Sequence, residues 1–192
     1  MLENLKSKKI ILASQSPRRQ QLLGEIVESF EIKVKPVDEV CPDHLKREQI
    51  AEYLSELKSN AFGDLAENEI LITSDTIVCL GNKTLGKPQS REGAIEMLTE
   101  LSGKTHTVFT GVTVRDFQKL ITFHDATHVT FHELSKEELI YYVDKCAPFD
   151  KAGSYGIQEW MGYVGISKME GEFYNVMGLP LHKLYQVLKA WD

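Results

Sequence analysis

Residues 70–80, ILITSDTIVCL, form an almost unbroken apolar run with an aspartate inside it. A run of this length bounded by polar segments reads as a buried strand. A carboxylate in such a setting is costly unless it meets a ligand or is paired. In open α/β sheets, ligands collect at strand ends. Asp75 is thus a candidate to hold Mg²⁺, to take a proton from an attacking water, or to do both. A turn aspartate capping its own backbone is the plainer alternative.

The rest of the chain alternates short strands with amphipathic segments. KIILA (9–13) reads as a strand, and Ser16 followed by Pro17 is a helix start, with the helix running to about Ile26. FEIKVK (30–35) alternates as a half-buried strand does. From Arg47 to Leu65 the apolar residues recur every three or four positions, which predicts an amphipathic helix. GNK (81–83) is the turn of a small hairpin, and residues 91–101 form a helix closed by Gly103. Segments 104–115 and 119–131 suggest a long antiparallel hairpin. Ser135 and Glu138 make a capping box for the next helix. A Gly-rich stretch, 153–165, precedes a strand near 163–168, and a final helix follows Pro180. Hairpins and crossovers together predict an α/β fold with a mixed, strongly twisted sheet. No repeat or linker divides the chain, so residues 1–192 are expected to form a single domain.

Composition narrows the classes of function. Hydrophobic residues make up 42% and charged residues 26%, as in a globular protein. No apolar run approaches the roughly 18 residues that span a bilayer, and no leader is visible, so a cytoplasmic location is expected. The cysteines Cys41, Cys79 and Cys146 lie far apart and suit free, buried thiols better than a disulfide framework or zinc site. A net charge of -6 argues against a nucleic-acid polymer or an acidic membrane as partner. A small anion responds instead to a local cluster of cations.

Such cations sit in segments with the character of loops. SQSPRR (Ser14 to Arg19) joins a strand end to a helix start, where free N–H groups and two arginines suit phosphate oxygens. A capped helix with solvated arginines is the alternative. GKP (86–88) places Lys87 on a stiff loop, and DKAGSYGIQ (150–158) adds Lys151. Gln158, with both a donor and an acceptor, suits the Watson–Crick edge of uracil or thymine. FYNVMGLP (173–180) reads as a forced turn into the last helix. His124, His128 and His132 are spaced by four, but in a strand four residues span roughly 13 Å, too far to share one ion.

In order and spacing, SQSPRR, SDTIV, GKP, LSGKTHTVFTGV, DKAGSYGIQ and YNVMGLP resemble the Maf family of nucleotide pyrophosphatases, from about Ile10 to Leu188. The resemblance implies an inosine-triphosphatase-like fold, a twisted sheet flanked by two helical lobes with a central cleft. It implies hydrolysis of dTTP and UTP to the monophosphate and pyrophosphate. It gives Asp75 the role of proton acceptor and makes Arg18, Thr76 and Gln158 the residues of substrate choice. Arg19, Lys58 and Lys87 match phosphate-binding positions, with Ser14 in the same loop. Glu39 matches an acidic position that, with Asp75, would hold Mg²⁺ or Mn²⁺. A homodimer is implied as well. Ser74 stands where many members have Ala, and Glu159 where many have Gly, which sets a carboxylate beside the base-reading amide. Within the family, a subgroup acting on 7-methyl-GTP is the nearest rival; a nucleotide-sensing regulator of cell division without turnover is the other.

Overall fold

A computed structural model describes residues 2–191. Its seven strands form one mixed sheet of order β2-β1-β3-β5-β6-β7, with β4 paired to β3. Strand β1 (Lys9–Leu12) pairs in parallel with β2 (Glu31–Ile32) on one side and β3 (Glu69–Leu80) on the other. Strand β4 (Lys83–Leu85) folds back antiparallel on β3, and β7 (Ile166–Glu170) runs antiparallel to β6 (Leu120–Phe131). Side-chain bonds between Thr105 and Thr130, Thr107 and His128, and Thr113 and Thr122 fix the register of β5 (Thr105–Arg115) on β6. Residue numbers fall on one strand as they rise on the other, so this hairpin is antiparallel.

Helices flank the sheet. Helix α1 (Pro17–Gly24) begins as expected, with the Ser16 hydroxyl accepting from the Arg19 N–H. Helix α2 (Glu48–Asn60) is followed by α3 (Arg91–Leu101) and α4 (Lys136–Cys146), whose capping box of Ser135 and Glu138 is complete. A short α5 (Phe173–Met177) and α6 (Leu181–Lys189) close the chain. None of these helices is long and apolar enough to cross a membrane.

Contacts divide the chain into two units. The first comprises the residues up to Asp75, Thr110–Asp125 and those from Gly178 onward; the second comprises Thr76–Phe109 and Ala126–Met177. In the first unit, Ile11, Ala13 and Leu71 pack with Phe62 and Leu65. Helix α2 lies so close to β5 that a Cβ at Gly111 would stand 2.2 Å from the Ala51 carbonyl oxygen. In the second unit, α3 packs on α4 over Val78, Leu98, Val129, Phe131 and Tyr142. His106 is 1% exposed within this core. Its Nε2 bonds the Tyr155 hydroxyl at 2.7 Å, and the Phe131 ring meets it edge-on at 4.9 Å.

The structure departs from the sequence reading in several places. FEIKVK yields only two strand residues, both exposed, because nothing covers that edge: Ile32 is 50% and Val34 45% exposed. Helix α2 ends at Asn60, short of Leu65. The strand expected from 163 begins at Ile166, after a π-helical turn over Met161–Gly165. Of the cysteines, Cys79 alone is buried; Cys41 and Cys146 are half-buried, and none of the three forms a disulfide. The histidines at 124 and 128 lie in β6 and have separate partners, Glu52 and Thr107.

Gly111→Ala should cost about 3 kcal/mol, since neither backbone can withdraw; urea denaturation measures it. Burial lowers the His106 imidazole to about 4 from its ordinary 6.5. The unfolded chain therefore takes up this proton near pH 6.5 and the folded protein only near 4, so stability falls as pH drops through that window. Roughly 3 kcal/mol should be lost across it, and His106→Gln should remove most of that slope in denaturation series at stepped pH.

Candidate active site

The first unit gathers most of the acidic and basic residues singled out in the sequence. Strand β3 carries Ser74, with no exposed surface, and then Asp75, whose side chain is 13% exposed. Helix α2 brings Lys58 to them from its last turn, because an amphipathic helix that buries Ala51, Leu54 and Ser55 presents residue 58 on the same side. The Lys58 ammonium donates to Asp75 Oδ1 and lies 3.0 Å from Glu39 Oε1. Two carboxylates thus converge on one positive charge, which offsets their mutual repulsion.

Arg19, from the first turn of α1, reaches into the same region. Its Nε donates to the Gly178 carbonyl at 2.8 Å, and its Nη1 donates to the Ser74 carbonyl at 2.7 Å. The Ser74 hydroxyl donates to the same Gly178 oxygen at 3.1 Å. Arg19 therefore ties three segments together one residue before Asp75. Burial lowers the pKa of its guanidinium; the Asp75 carboxylate pulls the other way, and Arg18 adds repulsion. Ser14 is buried, its hydroxyl accepting from the Ser16 N–H and its carbonyl from the Gln20 amide. Cys41 lies near enough to feel Asp75 and Glu39, but burial and those charges raise its thiol pKa and leave it protonated.

The second unit holds Thr76, Lys87 and Gln158. Lys87 is exposed and makes no ion pair among the described residues. Its loop is tied to the Gly-rich segment by a bond from the Gly153 N–H to the Gly86 carbonyl, 3.1 Å. Two loops far apart in sequence, GKP and DKAGSYGIQ, are therefore held together. Gln158 is half-buried, and its Oε1 is buried with no hydrogen-bond partner among the described residues. Lys151 corrects the sequence reading. Its side chain is 9% exposed and is neutralised by Asp150 at 2.8 Å and Glu159 at 3.0 Å, so it is not available to an anion. Glu159 likewise faces Lys151 and the Tyr142 hydroxyl, 2.6 Å away, and its carboxylate is already committed there.

Two parts of this arrangement were missed. The Gly178 carbonyl, in a segment read as a mere turn, accepts from both Arg19 and Ser74. The positive φ of 109° at Gly178 is the local reason that only glycine is at ease there. The link of Glu159 to Tyr142 gives no sequence signal, because it depends on how α4 packs.

Chemically, Asp75 and Glu39 offer oxygen donors that already enclose a cation, the Lys58 ammonium. A hard divalent ion accepts one or two such carboxylates and completes its shell with anion and water oxygens. No group of three or more His, Cys, Asp or Glu residues suited to a metal occurs among the described residues. The donor set therefore fits an ion shared with a bound anion, not one caged by protein alone.

The comparisons with known proteins extend over this whole arrangement. The family model described as Maf-like protein matches residues 9–191. A protein of Flavobacterium johnsoniae named dTTP/UTP pyrophosphatase is 51% identical, over 97% of this chain and 96% of its own. One of Bacteroides thetaiotaomicron with the same name is 51% identical, over 98% and 99%. Another, of Porphyromonas gingivalis strain W83, is 49% identical, over 98% and 97%. Among solved structures, a HAM1 protein from Coxiella burnetii is similar in fold, with a TM-score of 0.50 at 14% identity, over 96% of this chain and all of that one. With the family model matched from strand β1 to the end of the last helix, and half of all residues shared with full-length relatives, the chain belongs to the Maf-like protein family.

Proposed function

We propose that this protein hydrolyses nucleoside triphosphates, dTTP and UTP before others, to the monophosphate and pyrophosphate. The observation that carries this reading is the Asp75 carboxylate, held by Lys58 beside Glu39 in a chain half-identical to proteins named for that reaction. Cleavage between the α- and β-phosphates needs a water in line with the leaving pyrophosphate, and positioning and charge stabilisation supply most of the rate. Asp75 accepts the proton of that water. Asp75 and Glu39 would hold a divalent ion such as Mg²⁺ or Mn²⁺, which would supply charge neutralisation for the phosphates.

The cations then divide their work. Lys87, exposed and with no ion pair among the described residues, meets the phosphates. Arg18 stands in the first turn of α1, at the positive end of that helix, and adds its own charge there. Arg19 and Ser14 hold the loop beneath, and Lys58 keeps the two carboxylates at one point in space. Gln158, whose buried Oε1 has no donor among the described residues, reads the N3–H of uracil or thymine, and Thr76, next to Asp75, adds to base choice. The residue roles, the single domain over both units, the homodimer and the cytoplasmic location all belong to this same reading.

The first test is pyrophosphate release, with Mg²⁺ or Mn²⁺, from dTTP, UTP, CTP, GTP, ATP and 7-methyl-GTP. Preference for dTTP and UTP is expected; preference for 7-methyl-GTP would move the protein to the purine subgroup, and binding without release would make it a sensor. Asp75→Asn should stay folded and lose roughly 10²–10⁴-fold in kcat; near-normal turnover would remove Asp75 from the mechanism. Gln158→Ala should lower selectivity for UTP over GTP and CTP more than it lowers turnover, and equal losses on every base would argue against base reading.

A further inference from the structure

We infer that Glu159 is the residue that fixes Gln158 for base discrimination, acting through Tyr142 and Lys151. The inference rests on the base-reading role proposed for Gln158. Glu159 follows Gln158 directly and is anchored on both sides of its carboxylate. It accepts from the Tyr142 hydroxyl at 2.6 Å and pairs with Lys151 at 3.0 Å. Tyr142 has no exposed surface, and Lys151 is 8% exposed, so both anchors are packed into the interior. Burial, with the bond to Glu159, raises the pKa of the Tyr142 phenol and keeps it a donor.

The same anchors hold the backbone on either side of Gln158. The Tyr142 oxygen that donates to Glu159 accepts from the Gly156 N–H at 2.9 Å. The Glu159 N–H donates to the Gly156 carbonyl at 3.1 Å, closing a tight turn around residues 157 and 158. A Cβ at Gly156 would lie 2.8 Å from the Glu159 carboxyl carbon, so the turn and the carboxylate occupy adjoining space and only glycine admits both. On the outer side, the Tyr163 hydroxyl donates to the Gln158 carbonyl at 2.7 Å. The Gly156 N–H and carbonyl, the Gln158 carbonyl and the Glu159 carboxylate are thus all engaged. Gln158 Oε1 is buried and accepts nothing among the described residues.

An orphan acceptor on a rigid turn is a selective one. The last torsion of a glutamine side chain is soft, so the amide can present either its oxygen or its nitrogen. Uracil offers N3–H as a donor where cytosine offers N3 as an acceptor. The two bases are told apart only when the amide presents its oxygen to N3, and the held backbone of Gln158 fixes where that oxygen can stand. Glu159 touches no substrate in this arrangement; it is a positioning residue.

The test is calorimetric binding of non-hydrolysable α,β-imido analogues of UTP and CTP, so that it reads selectivity whether or not turnover is as proposed. Glu159→Gln removes the ion pair, and Tyr142→Phe removes one hydroxyl while keeping every charge, which guards against a variant that merely fails to fold. Each should lower the ratio of the two dissociation constants about tenfold with a retained unfolding midpoint. Neither should lower it further when combined with Gln158→Ala, because an effect passed through one side chain vanishes with that side chain. An unchanged ratio in the folded single variants, or the same fall in the Gln158→Ala background, would overturn the inference. So would a Gln158→Ala ratio equal to the parent's, which refutes base reading itself; failure of pyrophosphate release by the parent would refute only the proposed reaction.

Discussion

Everything in the first unit answers to one constraint: a carboxylate stands in the middle of β3, where the sheet is otherwise closed to water. Ile70, Leu71, Ile72, Thr73 and Ser74, which lead up to Asp75, have no exposed surface. A charge placed there needs a counter-charge close by, or it costs more than the strand can supply. Helix α2 provides the counter-charge at Lys58, and its approach demands Gly111, because any side chain there would collide with the Ala51 carbonyl. The turn at Gly178 and the guanidinium of Arg19 then clamp Ser74 from the other side. A geometry that looks specialised for a ligand is thus also the least costly way to keep this strand folded.

The basic residues, alike on the page of the sequence, are unlike in the structure. Lys58 and Lys151 are committed to internal carboxylates, Arg19 is spent largely on backbone carbonyls, and Lys87 stands in solvent. Of these four, Lys87 is the one whose charge is left to attract an anion from a distance. The others act by fixing where groups stand. An acidic protein can therefore serve an anionic substrate without a broad basic face.

Local interactions explain what the sequence disclosed. The caps at Ser16 and Ser135 involve partners within four residues, so their signatures are complete in a short window. The same holds for β3 and for the hairpin of β5 and β6, whose apolar periods run for many residues. Strand β2 failed because alternation says which side chains share a face, not whether anything covers that face; Ile32 and Val34 remain exposed. Asp75 stands out in its apolar strand, and Lys58 and Glu39 are implied only by the family resemblance, but the convergence of both carboxylates on the Lys58 ammonium depends on how α2 packs beside β3. The misreading of Lys151 has the same origin. Its partner Glu159 lies eight positions away and faces it only after the intervening residues have turned through a 3₁₀ and a Gly-rich bend.

One chain of hydroxyls ties α2 to the hairpin and carries a sense of its own. The Ser55 hydroxyl donates to the Glu52 carbonyl at 2.8 Å, which uses its single proton. Thr113, 2.9 Å away, must therefore be the donor to Ser55, and Thr122, 3.0 Å from Thr113, the donor to Thr113. The members are consequently unequal. Loss of the Thr122 hydroxyl removes a donor at the half-buried end, where water can stand in. A methyl at Thr113 leaves Ser55 without its donor and Thr122 without its acceptor at once. The helix that carries Lys58 is held by a polarised wire whose middle link is the one that tolerates no exchange.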